Sequence, residues 1–502
     1  MMDAFLIGVN TVMQWDSMLF ILFGVAWGTL GGMIPGINAT IAMALLLPFT
    51  WGMEPAVAIM MLAGVYCGGE YGGSIPAVLI GTPGTNAAAC TVYDGYELHK
   101  QGKTGLALYT SLNSSVFGGL FSTLALILLA VPLASVALAF GPAEYFALAF
   151  LGLSMICSLG ENNVFKGILA GFIGILLATV GFDPIAGVPR YTFGFASMTE
   201  GFDMVPLMMG FYAISEMFKQ SQEVMAGETF KLKMKTDTKF PKIKEIRWLF
   251  PYDLFGSVVG VLVGVMPGAG ATVAAFLSYS WVKRLSKNPD SYGKGNLAGV
   301  AVPEAANNGA TGGAMVPLLA LGIPGSNSTA IMLSALMIHN ITPGPMLFIK
   351  SPEVPYGLFA AMVVANIMMW FVGFLFIKFA IRITDISKQA LVAVIIALVF
   401  TGVYAYSLDM FSVAVTLAFG LFGMVMRRFD LPHTATVLGF VLGFIMEANL
   451  RRALIISEGS LGGAFLNSPL SSILLIVAVS SIVISLVKGI QRNKTSKKTI
   501  AA

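Results

Sequence analysis

The sequence predicts an all-α polytopic membrane protein made of two inverted structural repeats, each holding a re-entrant helix hairpin and a broken helix. Three observations predict it. Of 502 residues, 57% are hydrophobic and 11% charged, with 56 Gly and 29 Met, whereas a soluble domain carries about a quarter charged residues. Apolar stretches of the ~17–25 residues that cross a bilayer recur along nearly the whole length. Finally, the chain says one unusual thing twice. Gly28-Thr29-Leu30-Gly31-Gly32-Met33-Ile34-Pro35-Gly36-Ile37-Asn38-Ala39-Thr40 returns, 232 residues on, as Gly260-Val261-Leu262-Val263-Gly264-Val265-Met266-Pro267-Gly268-Ala269-Gly270-Ala271-Thr272. Gly72, Pro76 and Gly81-Thr82-Pro83-Gly84-Thr85-Asn86 return, 241 residues on, as Gly313, Pro317 and Gly322-Ile323-Pro324-Gly325-Ser326-Asn327. The two offsets differ by the length of one loop.

Charge placement orders the elements. The N-terminus has neither a basic n-region nor a small-residue cleavage site, so no removable signal peptide is expected. No Lys or Arg precedes Lys100. Residues 19–50 read as a hairpin of two short helices with its tip at Pro35-Gly36-Ile37-Asn38. Between Lys103 and Lys219 four spans fit, 105–140, 143–160, 164–182 and 204–218, so Lys100 and Lys103 share the side of the linker that follows. That linker, Lys219 to Arg247, holds eight Lys/Arg against four Asp/Glu, and such loops stay in the cytoplasm. Residues 249–281 then enter and return, with a tip at Pro267-Gly268-Ala269-Gly270, because Arg247 and Lys283 both belong inside. Five further spans, 354–383, 388–406, 408–428, 432–447 and 468–487, lead to a basic cytoplasmic tail.

Basic residues follow the hairpin in the second half (Lys283, Arg284, Lys287, Lys294) but the Gly-x-Pro-Gly break in the first (Lys100, Lys103). Opposite charge bias at matching positions is what an inverted repeat leaves in a sequence. The domain boundaries are therefore 1–218 for the first repeat, 219–248 for the cytoplasmic linker, 249–464 for the second repeat, and 465–502 for an extra span with its tail. Arg190, Arg451 and Arg452 fall outside on this topology, against the usual bias. They are expected to dock a partner's acidic face or to steer an anion. Cys67, Cys90 and Cys157 have no metal or redox spacing and read as packing residues.

The duplicated breaks carry the chemistry. Pro suits a first helical turn, Gly allows close approach to backbone, and the polar residues after it cap a helix and face a solute. Free N–H groups at a helix N-terminus bind carboxylates. The residues expected to hold a solute are Gly36, Asn38, Thr40, Gly84, Thr85, Asn86, Gly268, Gly270, Thr272, Gly325, Ser326, Asn327 and Ser328. Glu70, Glu304, Asn307 and Asn308 are expected to couple a cation or a proton, since ionisable groups at bilayer depth mark function. Asp94 and Glu97 are expected to be solvated near the cytoplasmic surface. Small residues that only let membrane helices pack closely are the structural alternative for every Gly here.

The Pro-Gly-x-Gly/Asn-Ala-Thr segments, the Gly-Thr-Pro-Gly-Thr-Asn followed by Asp94-Gly95-Tyr96, and Pro303-Glu304-Ala305-Ala306-Asn307-Asn308 together resemble the large transmembrane subunit of the tripartite tricarboxylate transporters, the TctA family. The resemblance runs over nearly the whole chain. It implies an elevator-like or other alternating-access carrier that takes up citrate-like di- or tricarboxylates across the bacterial inner membrane. It also implies Na+ or H+ as the coupling ion, a small four-helix TctB-like membrane subunit, and a periplasmic TctC-like solute-binding protein. Membrane lipid and a homodimer fit the class; no nucleic acid and no cofactor is expected. No Walker-type loop occurs, in keeping with transport that does not use ATP. Two other classes are weighed, a passive anion channel and an intramembrane serine protease pairing Ser326 with His339. The histidines look like span-end residues, and no nucleophile elbow is present.

Overall fold

The computed structural model describes residues 2–34, 37–159, 164–183, 185–225, 239–268, 270–383 and 388–500. Its helices follow the hydrophobic stretches in chain order. After α1 (Met2–Val12), α2 (Trp15–Met33) runs to Ile34, which turns extended, and α3 (Ala39–Leu46) restarts behind the Asn38 cap. α4 (Pro55–Gly72) begins with Pro at its first turn and Glu54 capping it, as that position favours. α5 (Ser74–Ile80) ends at Gly81 in the left-handed conformation (φ 68°), and α6 (Ala89–Lys100) and α7 (Thr104–Ala137) follow. α8 (Pro142–Leu159) and α9 (Val164–Ala178) lead to a two-stranded hairpin, Gly181–Phe182 against Pro189–Arg190, and then to α10 (Met204–Met208).

The second half repeats the opening order. α11 (Ser215–Met225) precedes α12 (Ile243–Gly264), α13 (Gly270–Leu285) and α14 (Leu297–Leu321). α14 ends at Gly322, again left-handed (φ 75°), and α15 (Asn327–Ile338) restarts behind the Ser326 cap. α16 (Leu347–Lys350), α17 (Glu353–Ile383), α18 (Lys388–Ser407), α19 (Met410–Arg428), α20 (His433–Ile456), α21 (Leu461–Leu466) and α22 (Pro469–Ile500) complete the chain. Among the described residues six helices are long and apolar enough to cross a membrane: α2, α7, α12, α17, α19 and α22. α12 starts six residues before the expected boundary at 249, since Ile243 already lies in its first turn.

Two compact units form. One is Met1–Ser135 with Tyr212–Leu408, the other Val136–Phe211 with Asp409–Ala502. In the first, α2 packs along α4 and α12 along α14 in one shared register. Gly24, Gly28 and Gly32 abut the carbonyls of Met61, Val65 and Gly69, while Gly256, Gly260 and Gly264 abut those of Val302, Ala306 and Ala310. These contacts keep the sequence offsets of 232 and 241. Glycines four apart let two backbones come into direct contact. Every residue from Ala298 to Ala320 is buried, so α14, polar residues included, is interior.

In the second unit α9 packs on α20 through Gly171, Gly174 and Gly439. Its hairpin is tied to α20 by charge. Arg190 reaches Glu447 at 2.6 Å and Asp183 at 3.3 Å, and Arg451 reaches Asp183 at 2.6 Å and Glu447 at 3.6 Å. Two arginines and two acids cancel, so Arg190 and Arg451 are not the basic docking patch the sequence suggested; Arg452 is exposed. Backbone N–H groups of Ala186 and Ile185, then Arg451, hold the Asp183 carboxyl well below the usual carboxylate range.

Candidate functional site

The four chain breaks meet in the first unit. The first turn of α3 touches the first turn of α15, where Thr40 Oγ1 and Ser328 Oγ share a hydrogen bond at 3.0 Å. The break before α15 touches the one before α13, where Gly268 N donates to Gly325 O at 3.0 Å. Gly84, in the break before α6, donates its N–H to Gly73 O at 3.0 Å and lies against the Gly32 carbonyl at the end of α2. Added side chains would fill these junctions: a Cβ on Gly325 would stand 2.8 Å from Ala314 Cα, and one on Gly84 would stand 2.8 Å from Gly73 Cα. Gly73 and Ala314 are again 241 residues apart.

The half-helices exchange places between repeats. α15 packs on α3, and α6 packs on α13 through Cys90 Sγ to Ala275 O at 3.7 Å. Side-chain hydrogen bonds fix the starts of α3 and α15 and the turn that leads into α6. Asn38 Oδ1 accepts from Ile41 N at 3.0 Å, and Thr85 Oγ1 accepts from Ala88 N at 3.3 Å. Ser326 and Thr329 close a reciprocal capping box. Such a cap satisfies some first-turn amides, while others still point out of the helix end.

The expected site residues divide accordingly. Thr40, Gly268, Gly325, Ser326, Asn327 and Ser328 come together. Gly36 lies outside the described residues. Asn38 caps α3, and Thr85 holds the turn before α6. Asn86 is exposed, unlike its counterpart Asn327; Gly270 (φ 62°) and Thr272 open α13 in half-buried positions. Two tyrosines were missed. Tyr66 OH lies 3.2 Å from Ser326 Oγ, and Tyr212 OH donates to Asn327 Oδ1 at 3.2 Å. A tyrosine in an apolar stretch looks like core; its hydroxyl needs a partner when buried, and that need was the available signal.

Behind the breaks lies a carboxylate. Glu304 is 1% exposed and accepts hydroxyl hydrogen bonds from Ser74 at 2.5 Å, from Ser115 at 2.9 Å, and from Thr91. Glu70 is half-buried; its backbone carbonyl accepts from Asn307 Nδ2 at 3.1 Å, and Asn308 Nδ2 donates to Cys67 O at 3.3 Å. The side-chain oxygens of Asn307 and Asn308 have no hydrogen-bond partner among the described residues. Spare amide oxygens beside carboxylates are the hard donors that alkali and alkaline-earth cations take. Among the described residues no group of three or more His, Cys, Asp or Glu sits together as a metal centre.

One expectation fails here, and one alternative falls away. Asp94 is not solvated but fully buried. Its Oδ1 accepts from the backbone N–H groups of Gly293, Gly295 and Asn296 at 2.7–2.9 Å, and its Oδ2 from Tyr279 OH at 2.9 Å. It ties α6 to the loop before α14. His339 caps the C-terminal end of α15, whose N-terminal end is Ser326; twelve helical residues separate them by about 18 Å, so Ser326 and His339 do not pair.

The family model described as "Tripartite tricarboxylate transporter TctA family" matches residues 18–438. An uncharacterised 52.8 kDa protein in the TAR-I ttuC' 3' region of Agrobacterium vitis is 36% identical over 491 residues, covering 98% of this chain and 97% of that one. A second uncharacterised protein, in the TAR-II ttuC' 3' region of the same organism, is 34% identical over 235 residues, 47% of this chain and 97% of its own length. No solved structure matches.

Proposed function

The chain belongs to the tripartite tricarboxylate transporter TctA family, a family of transporters and not of enzymes, and from that premise we propose that it is the carrier subunit for cation-coupled uptake of a citrate-like di- or tricarboxylate across a bacterial inner membrane. The observation that carries the reading is the convergence of the four breaks in one unit. A polycarboxylate needs several helix ends at once, and the first turns of α3, α13 and α15 supply amides with Thr40, Ser326, Asn327 and Ser328 among them. The solute is held by amides and helix dipoles, without an arginine clamp. Glu70, Glu304, Asn307 and Asn308 take the coupling cation or proton behind it.

The repeats are read as inverted and the breaks before α3 and α13 as re-entrant tips. The shared register of α2 with α4 and α12 with α14, and the exchange of α6 and α15 between repeats, support that reading. All four breaks belong to one compact unit, to which each repeat gives its first part; this supports an elevator-like or other alternating-access cycle over a passive channel. The small membrane subunit and the periplasmic binding protein follow from the family, the latter delivering the solute to the outer face.

Counterflow tests the proposal. Liposomes holding the chain with its small subunit, preloaded with unlabelled citrate, should take up labelled citrate from the binding protein against its gradient. Flux that merely follows the gradient would return the chain to the channel class.

A further inference from the structure

Two half-helices, α6 and α13, run from the breaks to the cytoplasm-marked face. His99 and Lys100 lie in the last turn of α6, Lys283 and Arg284 in that of α13, and such charges stay inside. The two helices close on each other through buried Ala87, Cys90, Ala275, Tyr279 and Tyr292. A solute at the breaks has no way out to the cytoplasm between them while this seam is shut.

Asp94 pins the seam. It is the sixth residue of α6 and is 0% exposed. Besides its four hydrogen bonds to Tyr279 and the loop 293–296, its carboxylate fills a notch in α14, where a Cβ on Gly299 would stand 2.1 Å from Asp94 Oδ2. Beyond the end of α6, Gln101 Nε2 donates to Lys294 O at 2.8 Å. None of this has a copy in the other half. By the offsets that align the breaks, Asp94 corresponds to Ala335 and Tyr279 to Leu47, both buried and apolar. The loop between α13 and α14 is where the offset grows from 232 to 241, so it is the stretch that the first half lacks. The equivalent seam, α15 on α3, is closed by the Thr40–Ser328 hydroxyl pair and apolar packing. Only the cytoplasmic seam carries a carboxylate.

That chemistry suits a closure that must reopen. Parting an apolar seam exposes surface that water disfavours. A carboxylate and the amides it leaves are groups that water binds well, so parting them costs only the difference between protein and water hydrogen bonds.

We propose that Asp94 is the releasable lock of a cytoplasmic gate whose two leaves are α6 and α13, and that it must leave Tyr279 and the loop 293–296 before solute is discharged inside. The proposal rests on the alternating-access reading. Cys90 reports on the same seam: it lies four residues from Asp94, on the same side of α6, and its Sγ meets Ala275 O at 3.7 Å. A buried thiol reacts only when its surroundings open.

Alkylation by an impermeant maleimide, read site by site by mass spectrometry on the full chain in inside-out membrane vesicles, tests the lock. Asp94→Asn and, independently, Gly299→Ala should each speed reaction at Cys90 by about tenfold or more, the loss of one hydrogen bond to a charged group. Cys67, buried on α4, should stay as slow as in the wild type. An unchanged Cys90 rate in either folded variant, or an equal rise at Cys67, overturns the lock and leaves Asp94 a contact that only stabilises the fold. Faster Cys90 reaction in right-side-out vesicles and not in inside-out ones overturns the cytoplasmic gate. None of these results touches the carrier reading, which counterflow of the wild type decides. Should Asp94→Asn not fold, Gly299→Ala decides alone.

Discussion

Adding one methyl group at Gly260 tests the packing that sets the breaks in place. A Cβ there would sit 2.5 Å from Ala306 O and 2.9 Å from Gly309 Cα, where ordinary contact begins at 3.4 Å. The helix pair must therefore open by roughly 0.9 Å at this point, the shortfall between those printed contacts. Gly256 and Gly264 touch the same helix one turn away on either side, so opening at Gly260 loosens three backbone contacts together. Overpacking of this kind costs about 1–3 kcal/mol. In water Ala would recover about 1 kcal/mol of helix propensity; in a bilayer the separated helices stay helical, so that recovery is small and the steric loss wins. Reversible unfolding of Gly260→Ala in mild detergent should show a loss of about 1–2 kcal/mol. Gly462→Ala is the control, because its nearest neighbours are 3.8 and 4.0 Å away, and it should match the wild type. A Gly260→Ala protein as stable as the wild type would refute the close-packed register of α12 on α14.

Two further outcomes are expected. Tyr66→Phe and Tyr212→Phe each remove one hydrogen bond at the break before α15, worth about 0.5–1.5 kcal/mol, with Ser326 Oγ keeping its bonds to Thr329; citrate affinity by titration calorimetry should weaken in both, and unchanged affinity would return the tyrosines to core packing. Asp183→Asn should free the hairpin at Pro189–Arg190 for faster amide exchange. Because the folded carboxyl lies below its unfolded value of about 3.9, the wild-type tie is complete above that pH and is lost only as pH falls below it, so wild-type protection, taken relative to the unstructured chain at the same pH, should fall on acidification whereas that of Asp183→Asn should stay flat.

The helices and the breaks were legible because they are local. Apolar length fixed α7, α8, α9, α17, α19 and α22 to within a few residues at most starts, and the Pro-Gly segments marked each interruption. What escaped is held by tertiary contact. Asp94 sits among polar residues near Lys100, so it read as solvated. Its partners are three backbone amides of the loop 293–296, and no pattern of residue types encodes an amide. Arg190 and Arg451 read as unpaired because Asp183 and Glu447 are distant in sequence.

The carboxylates show where a search for duplicated residues stops working. By the offset of 241 that aligns the breaks, Glu70 corresponds to Thr311 and Glu304 to Ala63, so the two acids are not copies of each other. Geometry supplies the reason. Asn308 Nδ2 meets Cys67 O at 3.3 Å, and positions 67 and 308 are themselves counterparts, so α4 and α14 cross where equivalent residues face one another. Near such a crossing one side chain is within reach of both repeats. A carboxylate at 304, in the second half, collects hydroxyls from Ser74, Thr91 and Ser115, all in the first, and a second acid at 63 would only bring like charge into the same interior, which is destabilising when neither is paired. Duplication fits the parts that hold a symmetric scaffold; the charged part sits by the crossing and is needed once.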